Sequence, residues 1–131
     1  MSTPSIALDS KLYNILDKTW RDQNLAWQPY SSDGRSNVEI VRLYDDKTDG
    51  VGPAGALLRY APGASVPAHL HPGTEVILVL EGELINDAGV HGPGTLEICP
   101  PGSVHTLSSR IGCTFLVIWE QPVERLGQVA A

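Results

Sequence analysis

The sequence predicts an all-β domain: short antiparallel strands in a meander that closes into a small barrel or sandwich. Three observations carry this expectation. The 13 glycines and 10 prolines in 131 residues divide the chain into short pieces, which suits strands joined by tight turns and argues against a helical bundle. After Pro62-Gly63 the breakers recur every few residues, at Pro67, Pro72-Gly73, Gly82, Gly89, Gly92-Pro93-Gly94 and Pro100-Pro101-Gly102, with apolar runs between them. The two most hydrophobic runs, EVILVL from Glu75 to Leu80 and CTFLVIW from Cys113 to Trp119, are expected as central strands.

Each element follows in order. From Asp9 to Trp20, Leu12, Ile15, Leu16 and Trp20 recur at three-to-four spacing behind an Asp9 or Ser10 cap, which predicts one helix, packed on the outside of a sheet or against a neighbouring subunit. Three runs of strand character come next, at Leu25 to Tyr30, Val38 to Asp45 and Gly55 to Ala61, separated by the turn-rich segments SSDGRSN and DDKTDGVGPA. In the middle run both alternating faces mix apolar and charged residues, so its register stays open. The tail from Pro122 carries little pattern. The expected organisation is a single domain: residues 1–24 a helical extension, 25–121 the barrel and 122–131 the tail.

A chain of 131 residues and 14.1 kDa is long enough to bury one sizeable core. Nine basic against 15 acidic residues give a formal charge of -6, which repels a phosphate backbone and excludes nucleic acid as an expected partner. The N-terminal MSTPSIALDSKLYNIL lacks the basic and apolar regions of a signal peptide, and no apolar run approaches the roughly 20 residues that span a bilayer. No membrane partner and a cytoplasmic location are therefore expected. Cys99 and Cys113 would then be reduced thiols rather than a disulfide.

The chemistry concentrates between Gly63 and His105. His69 and His71 are two apart, so in an extended strand both imidazoles leave one face. Pro72-Gly73 turns the chain and Glu75 enters the adjoining strand, while His105 follows the Pro100-Pro101-Gly102 turn. Three neutral imidazoles and a carboxylate around an interior point suit Fe(II), Mn(II), Ni(II) or Zn(II). Burying these groups without a partner would cost several kcal/mol, which a metal would offset. His91, in the loop VHGPG, reads as a surface or satisfied residue. Cys113 heads an apolar strand and reads as core; Cys99, six residues before His105, could lie nearer the site. The direction of Glu97 is not decided by periodicity.

These spacings resemble a known family. Gly63, His69, His71, Glu75 and Gly82, separated by five, one, three and six residues, resemble the first cupin motif; Gly94, Pro100, Gly102 and His105, separated by five, one and two, resemble the second. Ser109 stands where the second motif usually ends in asparagine. The resemblance implies the cupin double-stranded β-helix, a jelly-roll-like barrel, with His69, His71, Glu75 and His105 as ligands of one divalent transition metal per chain. More narrowly, LAWQPY, HLHPGTEVILVLEGEL and the Gly112-Cys113 pair are similar to the cupin domain of ChrR-type anti-sigma factors and to the acetylacetone-cleaving dioxygenase group. The separate zinc-binding domain that precedes the cupin in ChrR proteins has no counterpart here, so a free-standing cupin is expected.

Four protein ligands leave open positions on an octahedral metal, as a catalytic rather than a closed structural site requires. The leading expectation is an Fe(II)-dependent dioxygenase acting on a small dicarbonyl or related chelating substrate. The alternatives are a ChrR-like sensing or small-molecule-binding module without catalysis, and a metal-dependent isomerase or lyase. A homodimer or higher homo-oligomer is expected, with Leu12, Ile15, Leu16 and Trp20 as candidate contacts.

Overall fold

The computed structural model describes residues 10–126. In chain order these form helix α1 (Lys18–Asn24), strands β1 (Gln28–Pro29) and β2 (Ser36–Asp45), the long β3 (Ala54–Leu70), β4 (Glu75–Gly82), β5 (Leu84–Asn86), β6 (Gly89–His91), β7 (Leu96–Cys99), β8 (Val104–Ser108), β9 (Cys113–Trp119) and β10 (Glu124–Arg125). The paired strands run antiparallel in the order β6-β5-β8-β3-β9-β4-β7, with β2 and β10 also on β3 and β1 on β2. The result is a curled antiparallel half-barrel, the all-β architecture expected from the sequence. No helix among the described residues is long and apolar enough to cross a membrane.

β3 makes the curl possible. Its first half, Ala54 to Tyr60, pairs with β9, and its second half, Ser65 to Leu70, pairs with β8. A strand that changes partner midway joins two sheets at a corner. The run expected from Gly55 to Ala61 is longer than that: the strand continues through Pro62-Gly63 to Leu70 and bends. Gly63 supplies the bend with a φ of 85°, and Pro67 is accommodated by a register shift between Val66 and His69, since a bulge removes the need for its missing N–H.

The helix expectation is corrected too. α1 spans Lys18–Asn24, not Asp9 to Trp20, and residue 9 lies outside the described residues. Asp17 caps it, its carboxylate accepting from the Trp20 N–H at 3.2 Å, while Leu12 and Leu16 stay 90% and 77% exposed. Leu12 and Leu16, with no described surface to bury against, gain nothing from helical order. Buried Arg21 ties α1 to the sheet by donating to Glu81 of β4 at 2.9 Å and to the Ile15 carbonyl at 2.6 Å. Of the run Leu25 to Tyr30, only Gln28–Pro29 is strand. Further along, the expected turn in DDKTDGVGPA is a two-residue hairpin, with Asp49 and Gly50 both at positive φ between the bridged Thr48 and Val51.

The core lies inside the curl. Glu75, Ile77 and Val79 of β4 alternate inward, and Ile77 and Val79 meet Phe115 and Val117 of β9, Ala56, Leu58 and Tyr60 of β3, and Leu107 of β8 in one cluster. Tyr60 and Phe115 pack edge to face at 5.1 Å. β2 joins the cluster through Val38 and Ile40, which fixes the register that the sequence left open. β4 and β9 are each flanked on both sides, as their apolar composition predicts.

Gly82 marks the tightest backbone approach. A Cβ there would sit 2.0 Å from the Gly112 carbonyl oxygen, on a residue already at φ 76°. Gly82→Ala is expected to lower unfolding stability by about 2 kcal/mol or more, from backbone strain plus the clash. Gly92→Ala, which meets no atom within 4 Å, should change it by less than about 0.5 kcal/mol; denaturant unfolding of the pair checks the contrast.

Candidate metal centre

Three strands and one turn bring the candidate ligands together. His69 ends β3 and pairs in register with His105 of β8. His71 follows β3 in the turn, where its backbone N–H donates to the Ser103 carbonyl at 2.9 Å and its carbonyl accepts from the Gly102 N–H at 2.8 Å. Glu75 opens β4. The Pro100-Pro101-Gly102 turn thus docks on the His71 turn and closes the two halves of the site on each other. All four residues are buried, at 4%, 1%, 4% and 6% exposure for His69, His71, Glu75 and His105.

The outer nitrogens set the tautomers. His69 Nδ1 lies 3.1 Å from the Pro67 carbonyl oxygen, which can only accept, so Nδ1 carries the proton. Ser103 donates its hydroxyl to the Pro100 carbonyl at 2.6 Å, and its oxygen can then accept from His71 Nδ1 at 2.9 Å. Both rings therefore turn an Nε2 lone pair inward. Burial, and then His105, hold His69 down to about 4, so it is neutral and available as a donor at pH 7.

The inward atoms converge: His69 Nε2 lies 2.8 Å from His105 Nε2, His71 Nε2 lies 3.2 Å from His105 Nε2, and Glu75 Oε2 lies 2.7 Å from His71 Nε2 and 3.4 Å from His105 Nε2. Despite these short distances Glu75 Oε2 is buried and accepts no hydrogen bond. Lone pairs crowded without protons between them repel, and a buried carboxylate without a partner costs several kcal/mol. A cation reverses both terms. The spacing fits one: adjacent ligands at about 2.1 Å and right angles stand about 3.0 Å apart, whereas tetrahedral ligands stand about 3.4 Å apart. These four residues could therefore bind a metal.

Around His105 the structure adds residues whose roles the sequence did not reveal. Glu97 Oε1 lies 3.6 Å from His105 Nδ1 and accepts from the Cys99 thiol at 3.2 Å. Glu97 Oε2 accepts from the Asn86 amide, whose oxygen lies 2.8 Å from His91 Nε2. A chain His91–Asn86–Glu97–His105 thus runs from the β5–β6 hairpin to the site. His105, foremost among its causes, holds the Glu97 carboxyl below the usual range, so it is an anion facing the imidazole. Such a carboxylate orients a metal-binding histidine and raises its basicity. Burial, and then Glu97, push the Cys99 thiol well up, so it is not a free thiolate. Cys113 lies in the core, its thiol pushed up to about 11 by burial. Ser109, at the departure from the second cupin motif, donates to the Glu83 carbonyl at 2.6 Å rather than to the site. A cavity of about 200 Å³ bordered by Asn86, Glu97, Cys99, Ser103 and His105 reaches the outer side of the centre.

The family model of the ChrR Cupin-like domain matches residues 17–123. No curated protein matches. Among solved structures, the polyketide cyclase RemF from Streptomyces resistomycificus is 22% identical with a TM-score of 0.66, over 82% of this chain and 83% of its own. An acetylacetone dioxygenase from Acinetobacter johnsonii is 13% identical with a TM-score of 0.70, over 100% and 90%. The complex of Rhodobacter sphaeroides SigE with the anti-sigma ChrR is 19% identical with a TM-score of 0.63, over 92% and 70%. At these identities the likeness shows the cupin fold alone.

If the four inward atoms hold a metal, removing one should abolish tight binding, while removing an orienting group should only weaken it. His71→Ala is expected to lose stoichiometric Zn(II) binding in a competition titration, and Glu97→Gln to weaken it about 10- to 100-fold. Wild-type affinity in Glu97→Gln would show that Glu97 does not support the site.

Proposed function

The chain belongs to the ChrR cupin-like family, and from that premise we propose that it is a metal-binding single-domain cupin, residues 25–121 forming the barrel, that acts as a non-haem Fe(II)-dependent dioxygenase on a small dicarbonyl or related chelating substrate. One observation carries the reading: the inward atoms of His69, His71, Glu75 and His105 converge at 2.7 to 3.4 Å along four contacts, close enough to share one ion. On an octahedral ion four such ligands would leave two positions open, where a closed structural site would leave none.

The residues divide the work. His69, His71 and His105 supply neutral nitrogen donors, and Glu75 supplies one negative charge, so the protein would offset only part of the charge of a divalent ion and leave the rest to favour an anionic chelate. Bound iron would supply electron exchange with O2 at the open positions. The Pro67 and Ser103 hydrogen bonds hold the His69 and His71 rings against rotation, and Glu97 does the same for His105. Glu97, behind His105, is also a carboxylate that could accept a proton. The apolar interior, with Ile77, Val117 and Phe115 at most 1% exposed, limits water near the reacting groups.

Loading the protein with Fe(II) anaerobically and adding β-diketones and O2 is expected to give oxygen uptake in proportion to diketone consumed. Bound iron without uptake across a broad diketone panel would sink the dioxygenase reading. The family match favours a second reading, a sensing or small-molecule-binding module without catalysis, for which the expected results are Zn(II) retained through purification and no uptake.

The expected homo-oligomer has a site on the described surface in Leu12 and Leu16, 90% and 77% exposed. Light scattering is expected to give a dimer or larger assembly for the full chain, and a smaller species for the Leu12→Ser/Leu16→Ser double variant.

A further inference from the structure

A second polar feature lies at the open end of the barrel, away from the four candidate ligands. Val38 and Ile40 of β2 face the core at 5% and 3% exposure, and Arg42, in register with Ala56, takes the next position on that inward row. A charged residue there breaks the apolar alternation. Arg42 lines a cavity of about 120 Å³ with Tyr30, Tyr44, Ala54, Ala56 and Trp119. Ala54 and Ala56 are small, which leaves the space, and Tyr30 and Trp119 pack against the core cluster as its walls.

The cavity adjoins the metal centre through one residue. Trp119 is in register with Ala54 on one side and with Glu75 on the other. Two strand spacings, roughly 10 Å, therefore separate the Ala54 wall from the Glu75 backbone.

The charges here are unevenly matched. Asp33 and Asp45 also border the cavity, but Asp33 pairs with Arg35 at 3.1 Å and Asp45 with Lys47 at 2.9 Å. Arg42 makes no ion pair among the described residues. Its Cζ lies 5.5 Å from the Tyr30 ring centre, and the Cζ of buried Arg35 lies 4.3 Å from the same ring. Arg35 Nε is itself buried without a hydrogen-bond partner. Around this tyrosine Arg35, Arg42 and Lys47 outnumber Asp33 and Asp45 by one, and Arg42 stands outside any ion pair, which makes a local positive site on a chain of formal charge -6.

We propose that this cavity is a carboxylate subsite, in which Arg42 binds the anionic end of a small organic acid between Tyr30 and Trp119 while Arg35 holds the Tyr30 ring. A cavity of about 150 Å³ takes up benzene, so the occupant here is a group of a few non-hydrogen atoms or one that projects to solvent. The guanidinium fork matches a carboxylate in both shape and charge. The inference rests on the ligand-binding reading above and narrows its substrate class to dicarbonyl compounds that also carry a carboxylate.

The test is calorimetric titration of the Zn(II)-loaded protein, which removes redox turnover, with 4,6-dioxoheptanoate, a diketone carrying a separate carboxylate, and its neutral methyl ester. The acid is expected to bind at least about tenfold tighter, the factor of a charge-assisted hydrogen bond. Arg42→Met should bring the two ligands within about twofold of each other, and Arg42→Lys should keep part of the preference. Because Arg42 is exposed, both variants are expected to keep the wild-type Tm, which separates loss of the contact from loss of fold. Equal binding of acid and ester, no binding of either, or a preference that survives in Arg42→Met would overturn the proposal. An Arg42-dependent preference without oxygen uptake would sink the dioxygenase reading and leave the subsite standing; uptake with neutral diketones and no charge preference would do the reverse.

Discussion

Four acceptor atoms aimed at one interior point set the terms for the rest of this structure. Three Nε2 lone pairs and a carboxylate oxygen stand 2.7 to 3.4 Å apart along their measured contacts. Such crowding is unfavourable in a dry interior unless a cation occupies the middle. Each ring is therefore held from behind: His69 by the Pro67 carbonyl, His71 by Ser103, and His105 by the carboxylate of Glu97. The supports are groups the fold already places: a carbonyl of β3, a turn hydroxyl and a carboxylate of β7. They also remove the tautomers that would place an Nε2 proton inward.

The barrel delivers these atoms through one strand. β3 carries His69 while pairing with β9 along its first half and β8 along its second. Its bend at Gly63 brings β8, and with it His105, beside His69. The close approach at Gly82 and Gly112 holds β4 and β9 in register at the far end from Glu75. Motif glycines and motif histidines are thus parts of one mechanical arrangement: glycines set where the backbone bends or touches, and histidines occupy the point to which those bends lead.

Polarity inside the curl is graded. Beyond the Glu75 centre the interior is apolar through Ile77, Val117 and Phe115, and the charged Arg42 stands at the margin where β2 meets solvent. A small molecule entering from that margin would meet aromatic walls and a cation before the metal-binding atoms. On the opposite flank, the chain from His91 through Asn86 to Glu97 connects a surface hairpin to His105. The centre therefore has two unlike surroundings, an apolar interior on one side and a polar chain behind His105 on the other.

The sequence by itself determined the fold class, the two-motif spacing and the identity of the buried His and Glu cluster. These depend on local facts: strand alternation, turn residues, and histidines two apart on one face. It misread the first helix, because apolar periodicity reports amphipathic potential but not whether a surface exists to cover it, and Leu12 and Leu16 meet none among the described residues. It also ended the third run at Ala61, because a proline and a glycine mark a bend equally well whether the strand stops or changes partner. Glu97, Cys99, Asn86 and Arg42 carried no motif, since their roles come from partners on other strands, such as Glu97 for Asn86, His105 for Cys99 and Ala56 for Arg42. Only the tertiary structure decided those, because strand register, which selects the face each side chain takes, is fixed by pairing between distant segments rather than by either segment alone.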